Sequence, residues 1–412
     1  MTVLALIVLV LVVSARPHGF GPVLGSALAV AIASLGGNVL PSDFDTAVLA
    51  QWRPFITLIS IMLMTTAAER VGVLDRLASL IEPRTRGPVR RAFRLTFFSS
   101  ALVAAVFSND AAILLLPPTI LALLRTVYPR RNPKFLVAFS FAIFAAAGVA
   151  PLLVSNPMNL VFAAHVGLGF NEYALVMVPV AVASWIATYL AISWCFRDVL
   201  DDEAPALGDW HEPNGALSRW AKAVVGAVAA VLVGLPVAAY LGESLWPVAA
   251  LGAFAVCLFA AADGVAPRSL FGGVAWSVFP FLSGVFVLAL ALERAGSTTL
   301  LAGLYGPDPN LATVGVISAA GSALLNNHPM SLLNGFALLD LELQDKGAYF
   351  AALIGGDLGP RLLPMGSLAG LLWFDTLRRH GVEISVLEFV KIGVIVTVPS
   401  LAVSLGVLWL LL

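Results

Sequence analysis

Apolar runs recur along the whole chain, with polar positions gathered into short clusters between them and, in four places, inside them. Residues 1–14, about 19–40 and 52–68 each read as a membrane-crossing helix. The first of these lacks the basic start of a signal peptide, since Arg16 follows its apolar run, and is taken as a helix entering from outside. The run at 93–124 breaks the pattern. Ser108-Asn109-Asp110 interrupt its middle and Pro117-Pro118 follow. Each half, about 15 residues long, would rise roughly 22 Å as a helix, short of a hydrocarbon core of about 30 Å. Arg70, Arg76, Arg84, Arg86, Arg90, Arg91 and Arg94 lie before or at its start, and Arg125, Arg130, Arg131 and Lys134 follow it. The positive-inside rule puts both flanks in the cytoplasm, so the run is expected to be a re-entrant hairpin holding its polar tip near the bilayer centre.

Residues 135–162 predict an outward crossing broken at Pro151, Ser155-Asn156-Pro157 and Asn159, and 174–196 predict the return. The polar stretch 197–222, with Asp201-Asp202-Glu203, Pro205 and Pro213, reads as a cytoplasmic linker between a first half (1–196) and a second (223–412). The second half repeats the plan with spans at 223–241, 245–262 and 276–292. A hairpin at 311–339 follows, interrupted at Asn326-Asn327-His328-Pro329. Next comes a broken helix at 349–374, interrupted at Gly355-Gly356-Asp357-Leu358-Gly359-Pro360 and Pro364, and then a last span at 384–412. Trp52, Phe55, Leu58, Glu69, Arg70 and Gly72 recur as Trp276, Phe279, Leu282, Glu293, Arg294 and Gly296 at one constant offset of 224.

The expected fold is therefore an all-α polytopic membrane protein of ten transmembrane helices and two re-entrant hairpins. Five spans per half is an odd number, so the second half should sit inverted relative to the first, with discontinuous helices meeting at the midplane. Arg16, the eleven basic residues flanking the first hairpin, Arg197, Arg219, Lys222, Arg268, Arg378 and Arg379 then fall inside, which is 18 of the 23 Lys and Arg. Arg53, Arg294 and Lys346 fall outside, as do both termini. Inverted repeats with paired broken helices are the architecture of secondary transporters.

Composition narrows the function further. The chain is 60% hydrophobic and 11% charged, with a formal net charge of −1 that says little about partners. No nucleotide-binding motif and no soluble segment large enough for a catalytic domain is present, so an enzyme, a cofactor or a metal site is not expected. Energy must come from an ion gradient or from another subunit. The two cysteines, Cys195 and Cys257, lie far apart without metal-type spacing.

The breaks carry a specific resemblance. Ser108-Asn109-Asp110 before Ala-Ala-Ile-Leu-Leu-Leu-Pro, Val154-Ser155-Asn156-Pro157-Met158-Asn159, Gly169-Phe170-Asn171-Glu172-Tyr173, Asn326-Asn327-His328-Pro329 and the stretch from Gly356-Asp357-Leu358-Gly359-Pro360-Arg361 through Ser367-Leu368-Ala369 resemble the ArsB-type arsenite efflux permeases of the ion transporter superfamily. His328 and Pro157 depart from that pattern, where Met and Leu are more usual. The resemblance implies export of arsenite and antimonite across a bacterial cytoplasmic (inner) membrane, and an arsenite-stimulated ATPase docking on the arginine-rich loop. The superfamily also contains Na+/H+ antiporters and small-anion or dicarboxylate carriers, which stay as alternatives.

Arsenite at neutral pH is an uncharged trihydroxide, which calls for convergent donors and acceptors. Asparagine supplies both on one side chain. Asn109, Asn156, Asn159, Asn326 and Asn327, with the hydroxyls of Ser108 and Ser367, are the expected substrate ligands. Each also has a plainer reading as a cap on a broken helix. Asp110 and Asp357, at midplane depth, are the expected proton carriers in an antiport by elevator or rocking motion, with His328 as a weaker third. Arg361 is the exception among breaks otherwise free of basic residues. Glu69 and Glu293 read as boundary salt-bridge residues and Glu172 as structural.

Overall fold

The computed structural model describes residues 1–15, 21–73, 76, 88–128, 133–201, 216–341, 343 and 346–412. Arg16, Arg84, Arg86, Arg130, Arg131 and the linker from Asp202 to Pro213 lie outside the described residues.

The fold is all-helical, with no strand among the described residues. Helices α1 (Thr2–Ala15), α2 (Gly21–Leu35) and α3 (Pro41–Arg70) precede the first hairpin, whose arms are α4 (Val89–Val106) and α5 (Asn109–Val127). Helix α6 (Pro133–Ala146), a 3-10 turn at Leu153–Ser155 and α7 (Pro157–Val166) form the first broken helix. The half ends with α8 (Phe170–Cys195) and the short α9 (Arg197–Leu200). The second half runs through α10 (Arg219–Tyr240), α11 (Leu245–Ala262), the short α12 (Pro267–Gly272), α13 (Val278–Arg294) and α14 (Ser297–Tyr305). The hairpin α15 (Leu311–Leu325) and α16 (Asn327–Leu339) comes next. After it, α17 (Gly347–Leu358), two 3-10 turns and α18 (Leu368–Arg379) make the second broken helix before α19 (Val386–Leu411).

Helices α3, α8, α10, α11 and α19 are long and apolar enough to cross a membrane, and α13 with α14 make a sixth candidate bent by 78°. Helices α1 and α2 have 14 and 15 residues, so length alone does not set the expected count of ten spans. The apolar pattern carries no sign of the bend into α14. It falls at Gly296, whose φ of 77° only a residue without a Cβ adopts easily. Its match at offset 224, Gly72, has φ 80° just past the end of α3.

The first hairpin breaks once rather than twice. Helix α5 continues through Pro117 and Pro118: proline's fixed φ is helical, and the cost is two missing amide donors and crowding of each ring against the carbonyl one turn back. Helix α3 starts at Pro41, well before its apolar run, where the Asp43 carboxylate accepts from the Leu40 amide at 2.7 Å and holds the first turn.

Packing between the halves is reciprocal. Helix α2 packs on α13 while α11 packs on α3, and α5 packs on α18 while α7 packs on α16. The matched helices α3 and α13 also touch, through Phe55 and Phe279 with ring centroids 5.2 Å apart, and α8 lies along α19. Long-range polar ties join positions that the charge pattern assigns to one side. Arg90 pairs with Asp201, Arg125 donates to the His380 carbonyl and Ser218 donates to Asp263, all at positions expected on one side. Lys346 pairs with Glu172 at 2.8 Å on the other. Arg294 corrects one expectation: its partner is Asp43, at 2.8 Å and 3.1 Å, and not the neighbouring Glu293.

Candidate functional site

Four helices begin at the breaks, and each is capped by a residue that the sequence singles out. Ser108 Oγ accepts from the Ala111 amide at 3.0 Å, Asn156 Oδ1 from Met158 at 3.1 Å, Asn326 Oδ1 from His328 at 3.3 Å and Ser367 Oγ from Gly370 at 2.9 Å. The plainer capping reading therefore describes these four. It does not exhaust them. Asn156 and Ser367, together with Asn109, Asp110, Asn327, Asp357 and Arg361, line one cavity of about 30 Å³. The starts of α5, α7, α16 and α18 thus converge on it, and four positive helix ends surround two carboxylates that would otherwise be poorly compensated in an apolar interior.

The two carboxylates are held differently. Asp357, 5% exposed, accepts from the Ala150 amide at 2.9 Å, from Asn156 Nδ2 at 2.7 Å and from Asn159 Nδ2 at 3.0 Å. Asn159 Nδ2 also lies 2.7 Å from the Tyr173 hydroxyl, which donates to the Ala150 carbonyl at 2.7 Å. Asp357 is the hub that ties α17 to the break between α6 and α7. On the half-buried Asp110 there is no hydrogen bond from the protein among the described residues, although it faces the same cavity.

Of the asparagines, Asn109 donates to the Gly148 carbonyl at 2.9 Å, which fixes the hairpin tip against the α6 break. Asn327 is 6% exposed, and its Oδ1 has no hydrogen-bond partner among the described residues. Asn326 is the single non-glycine residue with positive φ among those described, at φ 77° and ψ 145°, and its Nδ2 donates to the Met365 carbonyl at 3.3 Å. Such backbone strain at a hairpin tip costs on the order of 1–3 kcal/mol and persists where surrounding structure holds it.

Ser108, Asn159, Asn326 and His328 stand behind the lining rather than in it. His328 is buried with its ring 5.9 Å from that of Phe281, and neither ring nitrogen has a hydrogen-bond partner among the described residues. Sequence reasoning gave no site role to Arg361 or to Tyr173. For Arg361 the signal was present, as the one basic residue at a break. For Tyr173 only its place in the Gly169–Tyr173 stretch pointed that way.

Helices that stop and restart around a buried polar cavity, within an apolar all-helical fold, define a membrane transporter. The chain belongs to the citrate transporter family, whose pattern it matches over residues 1–370. It is 31% identical over 409 residues to the arsenical pump membrane protein of Escherichia coli, covering 95% of this chain and 94% of that protein. A putative arsenical pump membrane protein of Bacillus subtilis is 26% identical over 420 residues, covering 95% of each chain. The solved YdaH transporter of Alcanivorax borkumensis shares the fold, with a TM-score of 0.58 over 89% of this chain and 87% of that one at 15% identity. The resemblance read from the break motifs thus extends over 95% of the chain.

Proposed function

We propose that the protein is a secondary active exporter of arsenite, and of the chemically similar antimonite, working by proton antiport through alternating access. The observation that carries this reading is the unpartnered Asn327 Oδ1 in a cavity shared with Asn109, Asn156 and Ser367. A neutral trihydroxide offers three O–H donors, and a buried acceptor without a partner is the complement that such a solute satisfies. Relatives of matching length named arsenical pumps support the substrate. The alternative of a di-anion carrier is not favoured, because the cavity carries two carboxylates against one guanidinium.

Asp110 is the proton carrier in this reading and Asp357 a fixed hub. A carboxylate with no donor on it is free to take up and release a proton, whereas one bonded by an amide and two asparagines is committed as an acceptor. At about 30 Å³ the cavity holds roughly two waters, less than a solute of four heavy atoms, so loading requires the hairpins to shift. An apolar cleft of about 260 Å³, lined by Ala68, Val103, Phe107, Ile120, Val228 and Leu232, separates the first hairpin from α3 and α10 and offers a seam for that sliding.

The reciprocal packing and same-side polar ties support two inverted repeats, 1–196 and 223–412, with the positively charged loops in the cytoplasm of a bacterial inner membrane and both termini outside. A cytoplasmic arsenite-stimulated ATPase is a partner that the resemblance implies. The proton route through Asp110 does not require it.

Expression in a bacterium stripped of its own arsenite exporters tests the substrate. Growth in arsenite should be restored and cell-associated arsenic should fall, and Asn327→Ala should abolish both while reaching the membrane in normal amount. Protection by Asn327→Ala equal to wild type would remove the carrying observation.

A further inference from the structure

Arg361 is 1% exposed and sits where the first broken helix stops. Its guanidinium donates to the Ala145 carbonyl in the last turn of α6, to Thr188 Oγ1 in α8 at 3.3 Å and to Ser400 Oγ in α19 at 3.4 Å. A Cβ at Gly148 would fall 1.9 Å from its Nη2, so the break is built with an open face that the guanidinium fills. The end of α6 is the negative end of a half-helix.

A buried cation costs several kcal/mol unless compensated, and the three oxygens holding this one are uncharged. Its countercharge is Asp357, which interacts with it electrostatically, and Asp110 lines the same cavity; these two carboxylates and Arg361 are the ionisable residues of that lining. A helix-end carbonyl, two hydroxyls and nearby carboxylates are hard oxygen ligands of the kind that hold metal cations such as alkali ions.

We propose that Arg361 is a built-in cation standing in the place of a coupling metal ion, so that this cavity exchanges substrate against a proton and needs no sodium. The proposal rests on the cavity being the transport site. Arginine keeps its charge at neutral pH. Two carboxylates and one guanidinium leave one negative charge, which a single proton neutralises while the cavity is empty of solute; the uncharged solute binds the deprotonated cavity, so proton and solute cross in turn and in opposite directions. Without the guanidinium, a small cation from solution would have to take its place.

The test is exchange of labelled arsenite across liposomes containing the purified protein, with arsenite equal on both sides and no ion gradient. Wild type should exchange at the same rate with N-methylglucamine as sole counter-cation as with sodium. No exchange in any medium would remove the transport reading and this proposal with it. Exchange only in sodium would overturn the role of Arg361 and leave the substrate reading standing.

Arg361→Gln should lose about tenfold or more in N-methylglucamine, the equivalent of about 1.4 kcal/mol, and regain exchange with added sodium or guanidinium. Arg361→Lys should stay sodium-independent. A folded Arg361→Gln that exchanges at the wild-type rate without sodium, or that no small cation restores, contradicts the proposal. Should Arg361→Gln fail to fold, the cation requirement of wild type decides.

Discussion

Asp110 and Asp357 share a cavity, a residue type and a place at a helix break, yet the groups around them assign opposite tasks. Replacing Asp357 by Asn turns an oxygen that receives donors into a donor facing donors, at a cost of about 1–3 kcal/mol for each group left unpaired. Asp357→Asn should therefore lower the melting temperature of the detergent-solubilised protein and impair every transport mode. Asp110→Asn should melt with wild type and still exchange arsenite without a gradient, yet lose the pH dependence of export. The reverse pattern would exchange their roles. The sequence shows both aspartates at breaks. It cannot show the contrast, because the donors on Asp357 are 207, 201 and 198 residues away along the chain. Arg361 was visible for the same reason and undervalued for the same reason, since its oxygen partners come from α6, α8 and α19.

At the scale of elements, the breaks are made by caps more than by prolines. Pro117 and Pro118 sit inside a continuous helix, while Ser108, Asn156, Asn326 and Ser367 each start one. Polar clusters inside apolar runs were thus the informative signal, and the proline pair was not. The glycines of the second broken helix serve packing. Cβ atoms at Gly355 and Gly359 would lie 2.3 Å from the Gly315 carbonyl and 2.4 Å from the Ala319 carbonyl, so α15 and the end of α17 approach backbone to backbone. Gly359→Ala should destabilise by about 1–3 kcal/mol through overpacking, read as a lower melting temperature. An unchanged melting temperature would mean that α15 and α17 yield more easily than their contact implies.

At the scale of the whole molecule, a constant offset of 224 joining six residue pairs, an odd number of spans per half and the one-sided distribution of basic residues were enough to propose the inverted plan. The helices of the two halves then pack in matching cross-pairs, and Phe55 meets its own counterpart Phe279. Less legible were the bend between α13 and α14 and the short lengths of α1 and α2. Hydropathy reports which residues avoid water, and says little about where a helix turns once it is surrounded by protein. The central claim joins the scales: a proton taken by Asp110 drives a neutral solute out through a cavity built where four half-helices meet.

Everted membrane vesicles containing the protein, acid inside and free of ATP, test that claim most directly. The account predicts that arsenite accumulates inside, and that collapsing the proton gradient with a protonophore abolishes the accumulation. Equal accumulation after the gradient is collapsed, or none while it is intact, would contradict it.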